Sequence, residues 1–477
     1  VRRPSACHPA CHPACGAACR AARRGVPMSA ALPTFADLAA RVAGGVMSRP
    51  RIAIIGAGSS GMAAAAEMLQ RGLDPVLFEA RSEPGGIWGK DPLSALYPDL
   101  VQSAAAQLPL SHAGAASWAA YTEQCLDTIK RQGLASRIFT STKVLCVTPS
   151  LYDGGADLLI ASASQAAAPL LRHFEHVVYA GGLYHTPQLP LIAGGANFAG
   201  RIIHSSDVRD LSRFVGQRVL IVGLGNTAMA CAARLFPVAQ QLVLSGRSPT
   251  WLVPRLLHGS PIDVATRALK ETFRHSYQAR LWDACREHGA IGHAVDPSSH
   301  EIDVGRQRIT VSDSMLGPVR SGMVPLRPAL AQVDQRTVYF VDGSSCEADV
   351  IVCCTGYRSQ EILAEGSEPQ QQLVGNVLHA RYPGLWFTGA PALWGSPAPI
   401  AKKQGRLIAH AIDMGWGRDE LAQAVRPYVN YDKAAARLPF GFEVADFSGY
   451  AHMVDQASAG PSGEPAPLAG DPVDYAG

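Results

Sequence analysis

The stretch 51–80, RIAIIGAGSSGMAAAAEMLQRGLDPVLFEA, constrains the fold more than any other part of the chain. Ile52-Ala53-Ile54-Ile55 is a short unbroken apolar run, the pattern of a parallel strand covered on both faces. Gly56, Gly58 and Gly61 follow in the spacing G-x-G-x-x-G, then an alanine-rich helix that Gly72 can end. A second strand, Val76-Leu77-Phe78, runs into Glu79. In such a unit Gly56 makes the tight turn, Gly58 admits a pyrophosphate close to the backbone, and Gly61 lets helix pack on strand. Ser59 and Ser60 open the helix, whose first N–H groups lack intrahelical partners and suit phosphate. Glu79, at the strand end, is placed to accept from ribose hydroxyls. Glycines alone would mark only a turn. Strand, glycines, helix, strand and acid in this order predict a dinucleotide site.

A second unit repeats the pattern. The apolar run 218–222 leads into Gly223-Leu224-Gly225-Asn226-Thr227-Ala228 and an alanine-rich helix to about 236. Ala228 replaces the third glycine, at a position that serves only helix packing. The next strand, 241–244, ends not in an acid but in Ser245-Gly246-Arg247-Ser248. A cation and hydroxyls suit a 2′-phosphate, so Arg247 and Ser248 predict NADP rather than NAD.

Three further stretches join these units. Pro84-Gly85-Gly86-Ile87-Trp88 gives a backbone that passes close to a flat ligand, with Trp88 to cover it. Strands at 348–354 and 384–387 run into Thr355-Gly356 and Thr388-Gly389, and Gln404 lies in the helix that follows. Glycine endings so late in a chain fit a first domain that resumes after an inserted one. The predicted class is α/β, with two dinucleotide-binding, Rossmann-like domains, the NADP domain inserted into the FAD domain. The expected boundaries are 50–210 and 346–450 for the first, 211–345 for the second, and 451–477 for a polar tail.

Residues 1–49 are expected to be a low-complexity or disordered extension. CHPACHPACGAAC offers Cys and His, but Pro9 and Pro13 oppose the helix that a four-residue spacing would need to gather a metal, so none is expected. A short amphipathic helix is expected at 35–46, before the first domain. The remaining seven cysteines are scattered between Cys125 and Cys354 and read as small apolar residues in a reducing compartment, so the chain is expected to be cytoplasmic. A net charge of +3 gives no case for nucleic acid or an anionic membrane as partner. No apolar run reaches bilayer length.

Taken together, GAGSSG at 56–61, GGIW at 85–88, GLGNTA at 223–228 and CTGY at 354–357 resemble the class B flavoprotein monooxygenases. That group contains the flavin-containing and the Baeyer–Villiger monooxygenases, and the likeness runs from about 51 to 414. The linker Phe198-Ala-Gly200-Arg-Ile-Ile-His204-Ser-Ser-Asp207-Val208 is similar to the family fingerprint F-x-G-x-x-x-H-x-x-x. Two departures from the family pattern matter, one in this fingerprint and one in the segment after GGIW. Val208 stands where flavin-containing members carry Tyr or Phe and Baeyer–Villiger members carry Trp. Gln102-Ser103 stands where many N- and S-oxygenating members carry Thr-Asn, the Asn lying against the flavin.

The resemblance implies FAD on the first domain, bound by Gly56, Gly58, Ser59, Ser60, Gly61, Glu79, Gly86, Ile87, Trp88, Gly389 and Gln404. It implies NADPH on the second, bound by Gly223, Gly225, Asn226, Thr227, Ala228, Arg247 and Ser248. The chemistry the resemblance implies is that NADPH reduces the flavin, which takes up O2 as a C4a-(hydro)peroxide and oxygenates nitrogen or sulfur in a small organic substrate. Gln102, Ser103 and Asn226 are the candidates for polar contacts near flavin and nicotinamide. His204 either orders the linker or is a satisfied structural histidine. The alternatives are Baeyer–Villiger oxygenation of a ketone and NADPH oxidase or flavin reductase activity; a redox CxxC for the last is lacking, since Cys353-Cys354 is vicinal.

Overall fold

The computed structural model describes residues 32–44, 51–88, 127–151, 154–164, 167–182, 184–247, 250–254, 256–262, 277–287, 291–292, 308–358, 361–364, 373–389 and 397–425, with single positions at 265, 269 and 272. Two mainly parallel sheets organise these residues, as expected for the α/β class. The first has the order Leu373–Val374, Leu378–His379, Leu385–Phe387, His176–Tyr179, Ile52–Ile55, Pro75–Phe78, Ile138–Phe139. The second has the order Leu326–Arg327, Gln241–Ser245, Arg218–Val222, Val350–Cys353, Arg201–His204, and every pair in it is parallel.

Both sheets are covered in the same way. In Ile52–Ile55, Ile52 and Ile54 point to one face, where Met62, Ala64 and Met68 of the helix Ser59–Gln70 meet Leu407 and Ile408 of the helix Pro397–Asp413. Ala53 and Ile55 point to the other, onto the antiparallel meander Thr142–Pro149, Ala156–Ser162 and Leu170–Phe174. In the second sheet Val219 and Ile221 face the helices Asn226–Leu235 and Asp313–Arg320. Leu220 and Ile351 face another antiparallel meander, Leu330–Asp334, Thr337–Phe340 and Ser345–Glu347. Strands covered on both faces are apolar throughout, which is why no alternation marks them in the sequence.

Two sequence expectations need correction. The strand Val350–Cys353 pairs with Arg218–Val222, so it lies in the second sheet, whereas resumption of the first domain at 346 would place it in the first. Arg201–His204, expected in the first domain, joins the same sheet beyond it. An ionic cluster fixes this register: Asp349 accepts from Arg218 at 2.9 Å through both its backbone N–H and its guanidinium, and pairs also with Arg336. The second correction is at the N-terminal end. The helix Phe35–Ala43 is amphipathic as expected, but it belongs to the fold rather than to an extension outside it. Phe35 and Leu38 are buried in the meander-side core, and Thr140 donates its N–H to Pro33 at 2.7 Å.

A third, smaller sheet (Ile291–Gly292, Thr250–Val253, Arg308–Val311) is inserted after the strand Gln241–Ser245. Its core, Trp251, Val253, Leu257, Ile262, Leu281 and Cys285, is its own.

Candidate active site

In both large sheets the chain reverses direction beside its central strand, and the first glycine of each motif sits at that point. Gly56, at φ +102°, follows Ile55; a Cβ there would lie 2.7 Å from the carbonyl oxygen of Ala180, just beyond the neighbouring strand. Gly223, at φ +123°, follows Val222, and a Cβ there would lie 2.5 Å from the carbonyl oxygen of Cys354. Only glycine serves at either position. The crevices thus formed outside the carboxyl ends of parallel strands are where open α/β sheets bind ligands.

In the first crevice, Gly58 caps the helix Ser59–Gln70, and a Cβ on Gly86 would approach its Cα to 3.2 Å. The two glycine loops therefore meet backbone to backbone, leaving a cradle without side chains. Glu79 holds them. Its Oε2 accepts the Ala57 N–H at 2.8 Å and its Oε1 the Arg81 N–H at 2.9 Å, while Arg81 Nη1 donates to the Gly86 carbonyl at 2.8 Å. Burial raises the Glu79 carboxyl above its ordinary value, opposed by these two backbone donors. Each oxygen retains a further lone pair, so the ribose role expected from sequence remains chemically available.

Gly389 closes the other side. Its N–H donates to Gln404 Oε1 at 2.8 Å, and a Cβ on it would meet Ser60 Oγ at 2.5 Å. Gln404 is fully buried and also donates to the Asn376 carbonyl at 3.3 Å. Gly56, Gly58, Ser59, Ser60, Gly61, Glu79, Gly86, Gly389 and Gln404 are thus brought to one place, and Ile87 and Trp88 form a single helical turn beside it. Gln102 and Ser103 lie outside the described residues.

At the second crevice, Gly225 caps the helix Asn226–Leu235, Thr227 is half-buried, and Ala228 packs into the core. Asn226 has a partner that the sequence did not announce. Its Oδ1 accepts the Val311 N–H at 3.0 Å, which commits the side-chain carbonyl to the inserted small sheet. Arg247 lines a cavity of about 610 Å³ at the ends of Arg218–Val222 and Gln241–Ser245, together with Ser245, Gly246, segments 186–192 and 329–331, Thr355 and Arg358. Among the described residues the lining holds two arginines and no carboxylate. Ser248 lies outside the described residues.

Arg358 carried no signal in the sequence. It follows CTGY, whose strand reads as first-domain until its pairing is known. His204 resolves into a staple. Its Nδ1 accepts the Ser206 N–H at 3.1 Å, so the ring proton sits on Nε2, which donates to the Gly356 carbonyl at 3.0 Å. Burial pushes its imidazole below the ordinary value. Its ring meets Tyr357 edge to face at 4.8 Å. Val208 is fully buried in the second core.

A family of flavin-binding monooxygenase-like proteins matches residues 161–371, and the NAD(P)-binding Rossmann-like domain family matches 54–94. These matches bear out the resemblance to the class B flavoprotein monooxygenases. Among relatives of this flavin monooxygenase, monooxygenase aurF of Gibberella zeae is 26% identical over 374 residues, covering 72% of this chain and 69% of that protein. The N-oxide-forming dimethylaniline monooxygenase 4 of Mus musculus is 26% identical over 336 residues, 65% of this chain and 58% of its own. An open crystal structure of cyclohexanone monooxygenase shares the fold, with a TM-score of 0.57 at 16% identity, covering 86% of this chain and 97% of that one.

The two family matches imply FAD and NADPH as cofactors. Both crevices suit them. The cradle at Gly58 and Gly86 brings two backbones together, which suits a pyrophosphate, and the second cavity is lined by Arg247 and Arg358 among the described residues, which suits phosphate. No helix among the described residues is long and apolar enough to cross a membrane.

Proposed function

We propose that this flavin monooxygenase takes its electrons from NADPH in preference to NADH and delivers one atom of O2 to nitrogen or sulfur in a small organic substrate. The observation that carries the nucleotide preference is Arg247 in a cavity that, among the described residues, Arg358 also lines and no carboxylate does. A free ribose calls for an acid at this strand end; a 2′-phosphate calls for a cation. In this reading 50–200 and 373–425 hold FAD and 201–358 hold NADPH. The proposed FAD contacts are the glycines of the first crevice with Ser59, Ser60, Glu79, Ile87, Trp88, Gly389 and Gln404. The proposed NADPH contacts are Gly223, Gly225, Asn226, Thr227, Ala228, Arg247 and Ser248.

When bound, FAD supplies the redox chemistry: hydride from the nicotinamide, then activation of O2, one atom going to substrate and the other to water. The chain supplies placement. Glu79 and Arg81 hold both glycine loops against the pyrophosphate, Gln404 holds Gly389 against the helix that begins at Ser59, and His204 ties the linker to the Gly356 turn. His204 thus acts as an ordering group, not as a proton carrier. Gln102 and Ser103 remain the proposed polar neighbours of the reacting centre. The N-oxide-forming relative supports a heteroatom substrate, while Val208, which matches neither the Tyr or Phe of flavin-containing members nor the Trp of Baeyer–Villiger members, favours neither branch.

The test of the preference is Arg247→Ala. Its apparent affinity for NADPH is expected to fall by about tenfold to a hundredfold, the size of losing a charge-assisted contact, with NADH little changed. Equal losses for the two nucleotides would refute the 2′-phosphate role.

A further inference from the structure

The peptide between Leu224 and Gly225 is held from outside its own sheet. Thr310, in the small-sheet strand Arg308–Val311, is buried with 1% of its surface exposed. Its Oγ1 donates to the Leu224 carbonyl at 2.7 Å, and Thr250 Oγ1 lies 3.3 Å behind it. The following residue, Val311, donates its N–H to Asn226 Oδ1 at 3.0 Å. Two bonds from one strand therefore grip the turn on either side of Gly225. The Leu224 side chain is fixed as well, because it lies where a Cβ on Gly246 would be, next to Arg247.

In a trans peptide the carbonyl and the N–H point in opposite directions. Holding the Leu224 oxygen toward Thr310 therefore turns the Gly225 N–H away from it, toward the open side of the turn. A Cβ on Gly225 would meet nothing within 4 Å, so the turn is open beside this residue, and no group among the described residues accepts from its N–H. It heads the helix Asn226–Leu235, where an anion is favoured. A turn free to flip this peptide would instead present a carbonyl oxygen to the pyrophosphate.

We propose that Thr310 is a positioning residue for the nicotinamide nucleotide: its hydroxyl sets the Leu224–Gly225 peptide so that the Gly225 N–H faces the pyrophosphate. This rests on the assignment of the second crevice to NADPH. It differs from the Arg247 role in one readable way. The pyrophosphate is common to NADPH and NADH, whereas the 2′-phosphate is not.

The experiment is a titration of the FAD-loaded protein with NADPH and with NADH, reading dissociation constants and the limiting rate of flavin reduction. Thr310→Val, which keeps the shape and removes the hydroxyl, is expected to weaken both nucleotides in parallel by about tenfold, the effect of one lost hydrogen bond. The limiting rate should stay within about twofold of wild type, and Thr310→Ser should restore binding. If Thr310→Val does not retain FAD, Thr310→Ala is read against Thr310→Ser in the same way. Unchanged binding, a loss confined to NADPH, or a serine variant as weak as valine would overturn the proposal. Wild-type protein that binds neither nucleotide would instead overturn the assignment of the crevice on which it rests.

Discussion

Glu79 has two roles that draw on one carboxylate. In the proposed reading it meets the ribose at the end of its strand, and it also accepts the backbone N–H groups of Ala57 and Arg81. The second role was not visible in the sequence, because it depends on how two loops fold back on each other. Glu79→Ala would leave two N–H groups without their acceptor in a site that is only 6% exposed, each costing about 1–3 kcal/mol. The protein should then purify with little FAD, as absorbance against protein concentration would report. Glu79→Gln keeps one acceptor oxygen and should fall between alanine and wild type. Full FAD content in the alanine variant would show that the loops hold their shape without the carboxylate.

Asp349 is a residue of the opposite kind, charged and structural. Its partners Arg218 and Arg336 hold its carboxyl far below the ordinary aspartate value of 3.8. A depressed folded-state value stabilises the protein fully above the unfolded value, and this contribution is lost as the pH falls through the folded one. Denaturant unfolding of wild type and Asp349→Asn should therefore differ most at neutral pH, and the gap should narrow once the pH drops below about 4. A gap that stays constant into acid would mean that the charge is not what the cluster uses.

At the scale of elements, local patterns were legible and long-range ones were not. Strand, glycines and helix at 51–70 and 218–235 are adjacent in sequence, and the structure places them as expected. The strand Val350–Cys353 is buried in every residue, so its apolar run suits either sheet; only pairing with Arg218–Val222 assigns it. Arg358 and Thr310 reach the second crevice from more than eighty residues beyond its glycines, and nothing local marks them. The helix Phe35–Ala43 was legible as a helix, but its burial was not, because the surface it covers comes from strands a hundred residues later. A chain beginning at Met47 would lack Phe35 and Leu38, which bury about 1.5–3 kcal/mol each of apolar side chain. It should unfold several degrees below one beginning at Leu32 in a thermal melt; equal melting temperatures would show that the helix contributes nothing. Close packing sets another limit. A Cβ on Gly405 would lie 2.6 Å from Ala64 Cα, so Gly405→Val should push apart the helices Ser59–Gln70 and Pro397–Asp413 and cost about 1–3 kcal/mol.

Across the whole molecule the two sheets are built to one plan, each with helices on one face, an antiparallel meander on the other, and a glycine turn where the chain changes direction. One crevice ends in an acid and a side-chain-free cradle, the other in a cavity with two arginines. The small inserted sheet grips the second turn through Thr310 and Val311, which links that crevice to a part of the chain with its own core. This division supports electrons entering at one site and oxygen transfer occurring at the other. The most direct measurement supplies the FAD-loaded protein with NADPH, isotopically labelled O2, and a methyl aryl sulfide and a tertiary dimethylamine in turn, with products read by mass spectrometry. The expected result is one labelled oxygen atom in the sulfoxide or N-oxide, with about one NADPH consumed for each product molecule. NADPH oxidation that returns all the label as hydrogen peroxide, with neither substrate labelled, would contradict the account.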